Sequence, residues 1–580
     1  MPVHNADIAE IFTEVADLLE IEGANQFRVR AYREAARTIE GQSRSAREMM
    51  ENGEDLTRLS GIGEDLAGKI EEIVKTGKLS QLEEIRRETP PGLSEMMELA
   101  GLGPKKVKAL YGELGISSLE ELEKAARSGK VAELEGFGEK TRQSILEEIE
   151  ARRARGPGRF KLARAAEFAS PLVEHLRKSR EIKEVTVAGS YRRGKETVGD
   201  LDILVTCKRG SREKVMDRFT GFEDVEKTVS RGKTKSSVIL RSGLQVDLRV
   251  VAQVSYGAAL VYFTGSKPHN IAIRKIGQGR NLKISEYGVF KGKGDSEKRV
   301  AGKTEKEVYR SVDLPFIPPE LREHRGEIEA AREGKLPDLV TLDDIRGDLH
   351  VHTEESDGDY TAREMAEAAR ERGYEYIAVT DHSRRLTVAA GLDPGQLEKQ
   401  IEVIGKLNEK LDGFTVLTGI EVDIMEDGTL DLPDGILKEL DLVVAAVHYK
   451  FDLPAGKQTD RILRALDNPH VSILDHPTTR LIGKRPPIDV NMEKILTAAI
   501  ERGVVLELNA QPDRLDLNDV YCKFVRDHGG RIAVSTDSHR LSDLEFMRFG
   551  IRQARRGWLE ADDVINTRSL KQLRKVLRRK

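Results

Sequence analysis

The chain has 580 residues, 38% of them hydrophobic and 33% charged. That length outgrows a single hydrophobic core and sets an expectation of three or four domains in an ordered globular protein. Two cysteines, Cys207 and Cys522, cannot build a disulfide framework or a cysteine-ligated zinc site, and a net charge of −4 does not mark a uniformly basic nucleic-acid binder.

The opening MPVHNADIAEIF lacks the basic stretch and apolar run of a signal peptide, and no run of about 18 apolar residues offers a membrane span. A cytoplasmic protein is expected. Charge is unevenly spread: residues 341–580 carry −8 and residues 1–340 carry +4, which together make the whole-chain −4. A basic half suits phosphate and an acidic half suits cations.

Residues 1–150 read as helices, with apolar residues at i, i+3 and i+4 in IAEIFTEVADLLEIEG, FRVRAYREAARTIEG and DLAGKIEEIVKTG. A short pattern recurs as LSGIGEDLAGKI (59–70), LAGLGPKKVKAL (99–110) and LEGFGEKTRQSIL (134–146). Its glycines, among them Gly61, Gly63, Gly101 and Gly103, leave backbone N–H groups bare at a helix start. Such a turn holds a phosphate without reading sequence. It is not a dinucleotide fingerprint, since Leu66 stands where a third glycine is needed. It is not a P-loop either, since Glu139 precedes the lysine. The repeat resembles the helix-hairpin-helix motif of DNA repair proteins, and two DNA-binding helical domains are expected, at 1–90 and 91–155.

The helical LARAAEFASPLVEHLRKS leads into VTVAG, DILVTC, SSVILRSG and LQVDLRVV, the short β-rich runs of an α/β palm at 156–256. In GSYRRGKETVGDLDILV (189–205), Asp200 and Asp202 lie two apart on a strand and share a face. Asp247 in LQVDLRVV completes a trio of carboxylates that repel one another unless cations sit between them. Two Mg²⁺ or Mn²⁺ ions held there would clamp a triphosphate and activate a primer 3′-hydroxyl. The Gly189–Ser190 turn, with Arg192 and Arg193, offers amides, a hydroxyl and guanidinium forks to phosphates.

This stretch resembles the nucleotidyltransferase signature of family X DNA polymerases, the group containing DNA polymerase beta. The resemblance continues in YFTGSKPHNIAIR (262–274) and NLKISEYGVF (281–290), and covers about residues 1–320. It implies that Asp200, Asp202 and Asp247 bind two metals, and that Gly189, Ser190, Arg193 and Gly199 hold the triphosphate of a dNTP. It also implies that Tyr262, Phe263, Gly265 and Asn270 surround the sugar and base, and that Arg274 touches the template strand. These lie in a nucleotide-selecting α/β domain at 257–315. Departures from the family pattern are Gln245, in place of an arginine beside the third aspartate, and Lys267, in place of an acidic residue near the nucleotide. Lys69 and Tyr32 match the deoxyribose-phosphate lyase positions, but Asp65 and Arg28 replace two supporting lysines. A lyase amine needs a lowered pKa, which a neighbouring carboxylate opposes, so Lys69 is either that amine or a plain DNA-phosphate contact.

Residues 313–340 are proline-rich, lack a strand pattern and read as a connector, with a linker at 316–342. From residue 345 strands and helices alternate. The apolar runs DLHVH, YIAVTDH, VLTGIEVD, LVVAAVH, VSILDH, VVLELN and IAVSTDSH predict a β/α barrel of seven strands at 343–580, with its site at the C-terminal strand ends. Six of the twelve histidines, His350, His352, His382, His448, His476 and His539, fall at these ends with Asp357, Glu421 and Asp537. Nitrogen and oxygen ligands in that number suit two or three Mn²⁺ or Zn²⁺ ions, able to generate hydroxide and polarise a phosphodiester. The pattern resembles the polymerase and histidinol phosphatase (PHP) domain. By that resemblance His350, His352, Glu421 and Asp537 hold one metal, Glu421, His448 and His476 a second, and Asp357, His382 and His539 a third.

The expected fold class is multidomain α/β: helix-hairpin-helix domains, a polymerase beta-like palm, and a PHP β/α barrel. The combination resembles the bacterial and archaeal PolX family. It implies a monomeric DNA repair enzyme acting on gapped or primer–template DNA with dNTPs. The polymerase fills short gaps, and the barrel acts as a 3′–5′ exonuclease, with abasic-site cleavage as an additional activity. The alternative is a PHP phosphoesterase for small phosphorylated substrates.

Overall fold

The computed structural model describes residues 5–577, apart from 41–45, 52, 60, 89, 91, 98, 100–101, 135, 140, 147–148, 150–157 and 293–295. Gly101, in the second glycine turn, lies outside these described residues. The chain divides into one unit of residues 1–158 with 483–485 and another of 159–482 with 486–580. No helix among the described residues is long and apolar enough to cross a membrane.

The first unit is helical. Helix Asn5–Glu22 buries Ile8, Phe12, Val15 and Leu19, and helix Gln26–Glu40 buries Val29, Tyr32, Ala36 and Ile39. Steps of three and four place each set on one stripe, and the two helices pack together. Gly61 turns the chain at φ 71°, a conformation that favours glycine. Gly63 then caps helix Glu64–Thr76, and Gly103 caps Pro104–Leu114, neither with a side-chain bond. First-turn amides are left open in both.

The second unit contains a palm sheet of β1 (Ile182–Val187), β2 (Asp200–Cys207), β3 (Val225–Arg231), β4 (Lys235–Leu240) and β5 (Gln245–Val250), in spatial order β1-β2-β5-β4-β3. The β2–β5 pair is parallel and the others antiparallel. On β2, Leu201, Ile203 and Val205 face a core with Phe168, Leu172 and Phe219. Alternation therefore turns Asp200 and Asp202 to the opposite face.

Helices Tyr256–Thr264 and Lys267–Gly279 follow, then an antiparallel sheet of β6 (Leu282–Ser285), β7 (Gly288–Lys291) and β8 (Lys298–Ala301). The connector is packed rather than a free tether. Its Ile317, Leu321 and Ile328 join a core with Val261, Ile273, Tyr309 and Trp558. Its buried Arg322 donates to Glu305 at 2.8 Å, and Glu327 lies 2.6 Å from Nδ1 of buried His269.

The barrel strands are β9 (Gly347–Val351), β10 (Tyr376–Val379), β11 (Thr415–Asp423), β12 (Leu442–Ala446), β13 (Ile473–Leu474), β14 (Val505–Asn509) and β15 (Ile532–Ser535). They pair in sequence order, all parallel. A bridge between Val351 and Ser538, with His352 N–H donating to Ser538 O at 2.8 Å, brings the first strand to the last. Leu349, Tyr376, Leu417, Val444, Ile473, Val505 and Ala533 share a buried layer with Leu573 and Leu577 of the final helix. The opposite set, including Val351, Ile377, Val379 and Val416, packs on the helices.

Candidate metal centres

In the palm, register sets Asp202 opposite Asp247 and Asp200 opposite Gln245. The three carboxylates thus share one sheet face. Burial, then the charges of Asp200 and Asp247, push Asp202 up to about 6. Burial opposes ionisation of Asp247 too, but Lys235 Nζ at 2.6 Å from Oδ2, Ser237 and the Gln245 amide at 3.2 Å from Oδ1 hold it below the usual range. Gln245 thus keeps a contact to the third aspartate where the family pattern has arginine. Lys235 is a neighbour that sequence reasoning missed, because antiparallel pairing with β4 brings it there. The palm trio is looser than the barrel's groups: among the described residues, every set of three or more ligand atoms within 4.8 Å lies in the barrel.

Around the trio, Gly189 turns at φ 64°, and a Cβ there would sit 3.0 Å from Asp202 Oδ2. Ser190 follows in the short helix Gly189–Arg192. Arg193 Nη1 donates to Thr264 O at 2.5 Å, and a Cβ on Gly265, itself at φ 62°, would lie 3.5 Å from that nitrogen. Asn270 donates to Tyr262 O at 2.7 Å, and the Tyr262 and Phe263 rings meet edge to face with centroids 4.9 Å apart. Arg274 lies over the Tyr262 ring at 5.0 Å. Gly199 approaches the Arg159 guanidinium, which is tied to Thr197. In the first unit, Lys69 pairs with Asp65 and lies over the Tyr32 ring at 5.2 Å. Burial would lower its pKa, but Asp65 and Tyr32 outweigh burial and raise it.

In the barrel, the ends of β9, β10, β11 and β15 and the loops after β12 and β13 deliver their side chains to one place. The Nε2 atoms of His350 and His352 are 3.1 Å apart, and His352 Nε2 is 3.2 Å from Asp537 Oδ1. Asp357 Oδ1 lies 3.2 Å from His539 Nε2 and 3.5 Å from His382 Nε2. Glu421 sits between groups. Its Oε1 is 3.0 Å from His448 and 3.4 Å from His476, while its Oε2 is 2.7 Å from His382 and 3.4 Å from His350. Four ligand groups emerge among the described residues: His352, Asp357, His382 and His539; Glu421, His448, Asp475 and His476; His350, His352 and Asp537; and His350, Asp475 and Glu507. His350, His352 and Asp475 therefore each stand in two of them.

Asp475 and Glu507 escaped the sequence reading. Glu507 lies 2.9 Å from His350 Nδ1, and Asp475 lies 2.8 Å from His476 Nε2. Asp423 holds His448 Nδ1 at 3.1 Å. Glu507 and Asp423 thus sit on the far nitrogens of His350 and His448, where a carboxylate fixes a ligating ring and its tautomer, whereas Asp475 meets His476 on the nitrogen that also faces Glu421. Burial alone would lower the histidines, yet Glu421 with Asp423 raises His448 to about 10, and Asp357 with Asp537 raises His539 to about 10. His352 goes the other way, to about 3, through burial and the neighbouring His539 and His382. Glu421 Oε2, both Asp475 oxygens and the Nδ1 atoms of His352, His382 and His476 are buried without a hydrogen bond. Buried nitrogen and carboxylate atoms drawn together without hydrogen bonds, as Glu421 Oε2 is to His382 Nδ1 at 2.7 Å, fit a divalent cation, whose ligands lie about 2.1 Å from the ion and about 3 Å from one another.

Family models match in five places: a helix-hairpin-helix domain at 3–79, a SAM-like helix-hairpin-helix tandem at 93–151, a DNA polymerase beta palm at 163–261, a DNA polymerase beta thumb at 259–323 and a PHP domain at 348–511. The chain is 38% identical over 579 residues to the DNA polymerase/3′-5′ exonuclease PolX of Bacillus subtilis (strain 168), covering 100% of both. It is 34% identical over 232 residues to a probable phosphatase of Thermoanaerobacter sp. (strain X514), which spans 38% of this chain and 89% of that one. It is 27% identical over 350 residues to DNA polymerase lambda of Arabidopsis thaliana, spanning 55% of this chain and 62% of that one.

Proposed function

Because the chain belongs to the PolX family of DNA polymerase/3′-5′ exonucleases, we propose that it both extends and trims DNA 3′ ends, each reaction in its own metal-dependent pocket. It is a DNA-directed DNA polymerase that fills short gaps on a template, and a 3′–5′ exodeoxyribonuclease. Its substrates are gapped or primer–template DNA and dNTPs, and it works as a cytoplasmic monomer with its two cysteines free.

Asp200, Asp202 and Asp247 would hold Mg²⁺ or Mn²⁺ in the palm, and the barrel histidines with Asp357, Glu421, Asp475 and Asp537 would hold two or three Mn²⁺ or Zn²⁺. When bound, such cations neutralise charge on the reacting phosphoryl group and make the attacking oxygen a better nucleophile. The chain's own groups do the rest. Gly189, Ser190, Arg193 and Gly199 grip the triphosphate, Tyr262, Phe263, Gly265 and Asn270 enclose sugar and base, and Arg274 meets the template. Gly61, Gly63 and Gly103 offer amides to the DNA backbone, as does Gly101 in the same repeat. Lys69, with its raised pKa, acts as a phosphate contact rather than a lyase amine. In the barrel Glu507 and Asp423 orient His350 and His448.

The observation that carries this reading is the gathering of six histidines from five strand ends in a chain whose palm pairs Asp202 with Asp247. A 5′-labelled primer should be extended only when annealed to a template. DNA labelled at its 3′ end should be degraded much faster than a free phosphomonoester is hydrolysed. Preference for the phosphomonoester would favour the small-substrate reading that the phosphatase likeness supports, and template-free extension would contradict the polymerase reading.

A further inference from the structure

Side chains from three distant segments meet behind the segment assigned to the triphosphate. Arg193 Nε donates to Glu323 Oε1 at 2.9 Å. The same Glu323 oxygen accepts from Arg556 Nη1 at 2.9 Å, and that nitrogen also donates to the Arg193 carbonyl at 2.8 Å. Arg556 Nη2 donates to Asp519 Oδ2 at 2.6 Å, an oxygen shared with Arg325 at 2.9 Å. One turn earlier on helix Met547–Arg556, Arg552 donates to the Tyr191 carbonyl and lies 4.9 Å from the Tyr191 ring. Gly194, at φ 69°, a conformation that favours glycine, turns the chain where both arginines pack: a Cβ there would meet Arg552 at 3.5 Å and Arg556 at 3.6 Å. The side chains of Arg556 and Glu323 are 2% and 11% exposed. Charge-assisted hydrogen bonds are strong in such a place, and a buried charge that loses its partner is costly.

We propose that Arg556 of the barrel, acting through Glu323 of the connector, is a positioning residue for nucleotide binding, so that the nuclease domain forms part of the polymerase's nucleotide site. This rests on the reading of Arg193 as a triphosphate contact. Glu323 and the Thr264 carbonyl tie two of the three Arg193 nitrogens, which fixes a long side chain before the nucleotide arrives and lowers the ordering cost of binding. Glu323 is shared between Arg193, Arg556 and, at 3.7 Å, Lys195. With Arg556 gone, Glu323 loses the guanidinium that anchors it opposite Arg193 and is left to Arg193 and Lys195, the Arg193 carbonyl loses its donor, and Asp519 keeps only Arg325. The loop then shifts, and the Arg193 guanidinium is no longer held in place for the phosphate. The carboxylate trio on β2 and β5 is untouched, so binding suffers more than turnover.

The test uses the full-length chain in single-nucleotide insertion, with KM and kcat measured separately and 3′–5′ degradation followed on the same preparations. Arg556→Met should raise the dNTP KM about tenfold, the size of one charge-assisted hydrogen bond. Its kcat and degradation rate should stay near the parent values. Arg556→Lys should recover part of the loss, and Glu323→Gln should resemble Arg556→Met. Arg193→Met is the reference. If it raises KM while Arg556→Met and Glu323→Gln do not, the relay is wrong and the triphosphate reading stands. If it leaves KM unchanged, both fall. Equal loss of kcat, affinity and degradation in the Arg556 variants would mark a merely structural role and also overturn the proposal.

Discussion

Asp202 sits between two like charges on a half-buried sheet face, and burial together with Asp200 and Asp247 pushes its carboxyl up to about 6. A carboxyl whose folded pKa exceeds its unfolded value costs stability once ionised. The metal-free palm therefore loses stability as pH rises from the ordinary carboxylate range to about 6. A cation needs the ionised form, so Mg²⁺ should bind the palm more tightly above pH about 6 than below it. Thermal unfolding with and without Mg²⁺, on each side of that pH, should show a larger metal-induced rise in Tm on the alkaline side for the parent. Asp202→Asn should lose the palm's part of this pH dependence, and identical behaviour of parent and variant would refute the assignment. The Asp200–Asp202 pair was legible because residues two apart on a strand share a face. Lys235 and Glu507 were not, since only the pairing of β4 with β5, and of β14 into the barrel, brings them to their partners.

Helix Tyr256–Thr264 carries Tyr262 and Phe263, and its placement depends on Gly257. A Cβ on Gly257 would overlap the Thr304 backbone, which cannot swing away as a side chain would. Gly257→Ala should cost about 1–3 kcal/mol of stability by overpacking and displace the two aromatic residues. Melting temperature and primer extension should both fall while 3′–5′ degradation persists, and an unchanged melting curve would contradict the tight approach. The barrel strands were readable as apolar runs, because a parallel strand covered on both faces has no polar side to show. The connector was harder. Its prolines and missing strand pattern marked it only as a connector, and Arg322 and Glu327 are buried against Glu305 and His269. A buried charge is recognisable only once its partner is known.

At the level of the whole chain, the order of its parts could be read along the sequence, because each part carries a local signal: glycine turns, an Asp-x-Asp strand, histidines at strand ends. The contact between palm and barrel could not, since Arg556, Glu323 and Arg193 come from segments with no motif in common. The acidic half holds the densest ligand clusters, as its charge of −8 over residues 341–580 suggests. The central claim is that one chain keeps two separate metal pockets with opposed chemistry. The most direct measurement follows a single labelled primer on a gapped duplex with Mn²⁺, with and without dNTPs, for the parent, Asp200→Ala and His350→Ala. Asp200→Ala should lose extension and keep degradation, and His350→Ala should lose degradation and keep extension. Loss of both activities in either variant, or of neither in both, would contradict the account.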